Sequence, residues 1–70
     1  MSFSSAVAWK QADGTPVACR EKLAVLAENH AELAQTMQEA FDDAVLMGVD
    51  EAFFREVLTG LVAGLRSPLR

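Results

Sequence analysis

The chain has one cysteine, one histidine, no tyrosine and only two prolines among its 70 residues. Each scarcity excludes something. One cysteine cannot form an internal disulfide, and one histidine leaves a structural metal site without its usual donors. The longest nearly apolar run, Val57 to Leu65, has nine residues, where a membrane-spanning helix needs about 20. Met1 is followed by Ser-Phe-Ser-Ser, with neither a basic nor an apolar leader segment. A reducing, cytoplasmic setting is therefore expected.

Cations are missing altogether between Leu23 and Phe54, a stretch that carries seven carboxylates: Glu28, Glu32, Glu39, Asp42, Asp43, Asp50 and Glu51. The net charge is −4. Such a surface repels phosphate backbones and anionic headgroups, which argues against nucleic acid and membrane as partners. A basic protein surface is its natural complement.

Hydrophobic residues make up 51% of the chain, led by Ala, Leu and Val, and they are patterned. Cys19, Leu23, Leu26, His30, Leu33, Met37, Ala40, Ala44 and Met47 recur at alternating spacings of three and four. That periodicity places them on one stripe of a long helix, the seam of a coiled coil or bundle. Thr15-Pro16 suits the start of this helix, as cap and first position. Gly48 supplies the left-handed residue that ends it. A second helix follows, with Asp50 as its cap, Val49 and Phe54 as a hydrophobic staple, and Pro68 as its stop.

The expected fold is therefore all-α: a long-short antiparallel helical hairpin over residues 15–70, with helices at about 16–47 and 51–66. Residues 1–14 form an extended N-terminal arm, in which Val7 and Trp9 alternate like a short strand while Phe3, Ala6 and Val7 also suit a helical turn. At about 1.5 Å per residue the second helix spans only part of the first, back to about Ala31. The seam from Cys19 to Leu26 is left for the arm or another chain. Phe54, Val57, Leu58, Leu61 and Leu65 make one stripe of the second helix. Phe53, Gly60 and Gly64 make an adjoining face, and Val62 and Ala63 widen the apolar girth. A helix apolar nearly all round needs burial nearly all round. Small domains also need a supplement to their core. Dimerisation into a four-helix bundle meets both demands.

No residue set points to catalysis, a cofactor or a metal. His30 has no ligand-type neighbour at the helical spacings, so it reads as a polar, register-setting seam residue. If it faces its symmetry mate, acidification weakens assembly. Cys19 lies near a helix start and beside Arg20 and Lys22, conditions that favour thiolate, but no catalytic companion is near. The pairs Glu28/Glu32 and Glu39/Asp43 repel at spacing four. Hairpin geometry is expected to bring Arg55 near Asp42 and Asp43, and Arg66 near Glu28 and Glu32. Two classes of role fit. The first is a small non-enzymatic interaction or regulatory protein, a homodimer with interface residues Leu23, Leu26, His30, Leu33, Met37, Phe53, Val57, Gly60, Leu61 and Gly64. Its docking residues would be Trp9, Glu28, Glu32, Glu39 and Asp43. The second is an accessory subunit of a larger enzyme or assembly. In length and hairpin the chain resembles the Rop-like dimeric bundles. That likeness is architectural, the acidic surface departs from RNA binding, and no functional residue carries over.

Overall fold

The computed structural model describes residues 7–69; the Phe3 alternatives lie outside them. Two helices account for the regular structure, α1 (Arg20–Leu46) and α2 (Glu51–Ala63), in an all-α helical hairpin. The chain divides into two compact units, Met1–Thr36 and Met37–Arg70.

In the first unit α1 starts later than the Thr15-Pro16 signal implies, and the reason is a competing turn. The Thr15 N–H donates to Asp13 Oδ1 at 3.0 Å and its hydroxyl donates to the same oxygen at 2.7 Å. Gly14 takes φ 90°, a backbone that only glycine adopts without strain. The chain then returns alongside itself. The Gln11 N–H reaches the Thr15 carbonyl at 2.7 Å and the Val17 N–H reaches the Trp9 carbonyl at 3.0 Å, with Lys10 and Pro16 bridged antiparallel. A helix beginning at Pro16 would forgo these bonds, so the extended pairing wins. The arm therefore finds its strand partner in residues 15–17, and Cys19 takes over as the helix cap. Its carbonyl accepts from the Leu23 N–H at 3.0 Å. From Arg20 onward nothing interrupts α1, because no Gly or Pro occurs before Gly48.

In the second unit the link between helices follows its local chemistry. Gly48 sits at φ 97°. The Val49 N–H donates to the Ala44 carbonyl at 2.9 Å and the Gly48 N–H to the Val45 carbonyl at 3.0 Å. This is the paired-bond helix ending that glycine in that position makes. Asp50 is extended, and its carboxylate accepts from the Phe53 N–H at 2.8 Å, satisfying an otherwise orphaned donor. The last ten residues of α1 and the body of α2 meet through Phe41 and Phe54, whose ring centroids lie 6.0 Å apart.

At its far end α2 stops at Ala63, before the Arg66 boundary that periodicity implied. Pro68 has no N–H to return to the Gly64 carbonyl, and its ring crowds that position. The Leu69 N–H turns instead to Ser67 Oγ at 3.1 Å.

Candidate functional site

Burial is sparse throughout the described residues. Ala44 alone is a buried hydrophobic residue, at 5% exposure. Around it Phe41, Val45, Val49, Phe54 and Leu58 are half-buried, and they make up the interior of the second unit. Spacing explains the division of α2. Phe54 and Leu58 lie one turn apart on its inner stripe. Phe53, one residue earlier, is rotated by about 100° and emerges.

What emerges is a continuous apolar face. Phe53 is 56% exposed, Val57 39% and Leu61 66%, and Leu65, beyond the end of α2, is 77% exposed. Gly60 lies between them with nothing within 4 Å of where a Cβ would stand, and Gly64 meets only backbone oxygens of its own helix. Met37, on the seam of α1, is also exposed. Among the described residues of this unit, neither glycine is small to fit a neighbouring side chain. Val62, Leu46 and Met47 add to the uncovered apolar surface of this unit.

The charges around this face are satisfied locally. Arg55 pairs with Glu51 at 3.9 Å on its own helix, and its guanidinium stacks over the Phe41 ring, 4.7 Å from the centroid. Stacking on a ring satisfies a weakly hydrated guanidinium while its stem covers apolar surface. Asp42 accepts from Gln38 Nε2 at 2.8 Å. Glu39 and Asp43 are exposed on the outer side of α1.

The first unit holds the other expected residues. Trp9 is half-buried and meets His30 edge-on, centroids 6.0 Å apart and planes at 80°. The arm thus rests on the seam of α1 through its only tryptophan. Val17, ahead of α1, and Leu23 and Leu26, on its seam, are half-buried as well. Leu33 and Val25 remain exposed, and Val25 and Leu26 line a shallow open groove of about 380 Å³ with Glu21 and Lys22. Glu28 and Glu32 face solvent.

Two groups here are electrostatically tuned. The Cys19 thiol is exposed and held below its ordinary pKa, first by the Lys22 N–H, then by the Glu21 N–H, with the Lys22 charge adding to them. These are the free donors of the first turn of α1, so a cysteine occupies a place that serine or aspartate usually takes. That role was not legible in the sequence, where Cys19 read as a seam residue within the helix. The Asp13 carboxyl is likewise held low, by the Thr15 hydroxyl first and the Thr15 N–H second. Both arrangements build structure. Neither assembles a nucleophile with a base.

Among the described residues no three His, Cys, Asp or Glu side chains gather where a metal ion would be held. No helix is long and apolar enough to cross a membrane. Family models, curated proteins and solved structures provide no match to this chain.

Proposed function

We propose that the chain is a small, non-enzymatic interaction protein of the cytoplasm that works as a homodimeric helical bundle. The observation that carries this reading is the uncovered apolar face of α2.

Energetics point the same way. The exposed fractions of Phe53, Val57, Leu61 and Leu65 amount to somewhat more than two whole side chains. Covering them is worth about 4–7 kcal/mol per protomer, at about 1.5–3 kcal/mol for each side chain. Two-fold symmetry doubles this. The total matches the roughly 4–15 kcal/mol that association costs in lost freedom, and Leu33 and Met37 on the seam of α1 tilt the balance further. A second copy is thus a sufficient cover.

In the dimer the exposed carboxylates Glu28, Glu32, Glu39 and Asp43 form the surface offered to a basic protein partner. A second reading, an accessory subunit of a larger enzyme or assembly, draws on the first unit. There Val25 and Leu33 leave apolar surface that the Trp9 arm does not cover. Light scattering separates the two. A monodisperse dimer supports the homodimer, and an aggregating or partly unfolded monomer supports the accessory subunit.

A further inference from the structure

Thr15 and Pro16 carry the signals of a helix start, yet α1 begins at Arg20. The paired turn of the arm holds the groups that a longer helix would need. The Thr15 hydroxyl, which would be the cap, donates to Asp13 Oδ1 at 2.7 Å and accepts from Gln11 Nε2 at 2.9 Å. The Thr15 carbonyl accepts from the Gln11 N–H at 2.7 Å, and the Pro16 carbonyl from Gln11 Nε2 at 3.2 Å. In a helix starting at Pro16 those carbonyls would accept from the Cys19 and Arg20 N–H groups, at the usual helical spacing. Residues 15–17 are extended in the pairing and helical in the alternative. The two structures exclude each other.

We propose that the start of α1 is a two-position device set by the arm. With Trp9 seated on His30 and the turn closed, α1 starts at Arg20. With the arm lifted, Thr15 caps the helix, Pro16 takes its first position, and residues 16–19 add a turn. The chain is prepared for this. Proline at the first helical position needs no N–H partner, and Val17, Ala18 and Cys19 include no helix breaker. The new turn grows on an existing helix, so it needs no costly nucleus. Its backbone bonds replace those lost with the pairing, so the balance between the two forms is the small difference of two bonded states. Loss of one anchor of the arm then tips it.

The same movement reaches the thiol. Cys19 accepts from the Lys22 and Glu21 N–H groups because these are the donors that a first helical turn leaves unpaired. In the longer helix they bond the Ala18 and Val17 carbonyls instead, and the sulfur loses them. Seating of the arm, length of α1 and acidity of Cys19 therefore change together. Lifting the arm uncovers the seam at His30 and lengthens the helix that carries it. The arm thus sets how much helix the first unit presents.

The test opens the turn of the full chain in two independent ways. Asp13→Ala removes both bonds that hold Thr15. Gly14→Val puts a branched residue at φ 90°, where only glycine is free of strain. Each variant is read by Cα chemical shifts at residues 16–19, by Trp9 emission, and by iodoacetamide alkylation of Cys19 against pH. Both are expected to show helical shifts at residues 16–19 and a red-shifted Trp9. The alkylation midpoint is expected to rise by about half to one pH unit, roughly a three- to tenfold loss of thiolate below the midpoint. Adding Thr15→Val to Asp13→Ala removes the cap, and the helical population at residues 16–19 is expected to fall by about fivefold.

A red-shifted Trp9 with unchanged shifts at residues 16–19 would overturn the device, since the arm would then lift without lengthening α1. An alkylation midpoint that stays or falls in the opened variants would overturn it too. So would an arm that remains seated in both variants, because the turn would not be what holds it.

Discussion

Phe53 and Phe54 are neighbours in sequence with opposite duties, and truncating each in turn separates folding from association. Phe54 is half-buried against Phe41, with ring centroids 6.0 Å apart. Removing a fully buried phenylalanine costs about 3–5 kcal/mol. A half-buried one costs roughly half of that, and the lost ring pair adds about 0.5–1.5 kcal/mol. Phe54→Ala should therefore lose about 2–4 kcal/mol, a large share of the roughly 4–10 kcal/mol that a chain of this length has in total. Phe53 is 56% exposed, so the part still to be covered is worth about 1–1.5 kcal/mol for each copy. In a two-fold dimer the loss doubles, and Phe53→Ala raises Kd by roughly 30- to 150-fold at 1.4 kcal/mol per factor of ten. Urea titration followed at 222 nm reads the first effect, and sedimentation equilibrium reads the second. The expected pattern is a fallen urea midpoint at every protein concentration for Phe54→Ala, and a raised Kd with retained helix at high concentration for Phe53→Ala. Interchangeable behaviour of the two variants, with no change in Kd for either, would refute the division of α2 into an inner and an outer stripe.

Other perturbations probe the two turns and the thiol. Asp13→Ala should free the arm and shift Trp9 fluorescence to the red, because Asp13 holds Thr15 through two hydrogen bonds. The Asp13 pKa is depressed in the folded chain, so the turn's contribution is present above the ordinary carboxylate range and fades as pH falls through the lowered value. The same red shift should thus appear in the wild type only below about pH 4, and a shift complete by pH 6 would contradict this. Asp50→Ala should cost about 1 kcal/mol in urea titration, the usual value of a lost helix cap, and an unchanged midpoint would show that the Phe53 N–H finds another acceptor. Iodoacetamide should alkylate Cys19 with a pH midpoint below the ~8.5 of a free thiol, and a midpoint at or above it would show that the first-turn donors do not reach the sulfur.

Local chemistry made the turn between helices legible, and competition between local signals obscured the start of α1. Gly48, Val49 and Asp50 each have one strong conformational use, and all three uses agree on a helix end followed at once by a helix start. Thr15 has two. It can cap a helix, or close a turn with Asp13, and periodicity within residues 15–23 does not decide between them. The deciding bonds come from Trp9 and Gln11, on the far side of the Asp13-Gly14 turn, so the outcome depends on a pairing that no window on the helix contains. Cys19 was hidden for the same reason: it becomes a cap only once the helix starts at Arg20. The apolar stripes of α2 were visible from spacing. Which side of that helix turns inward was not, because Phe53 and Phe54 are chemically identical and only the contact with Phe41 distinguishes them. The glycine pair posed a packing question in the sequence that the space around Gly60 sharpens, since no described residue comes within 4 Å of where a Cβ would stand there.

All of this turns on whether one copy hides enough of its own apolar surface. Thermal unfolding followed by circular dichroism over a hundredfold range of protein concentration addresses that directly. Folding coupled to association makes the midpoint rise steadily with concentration, and that rise is the expected result. A single cooperative transition at the same temperature throughout the range would contradict it.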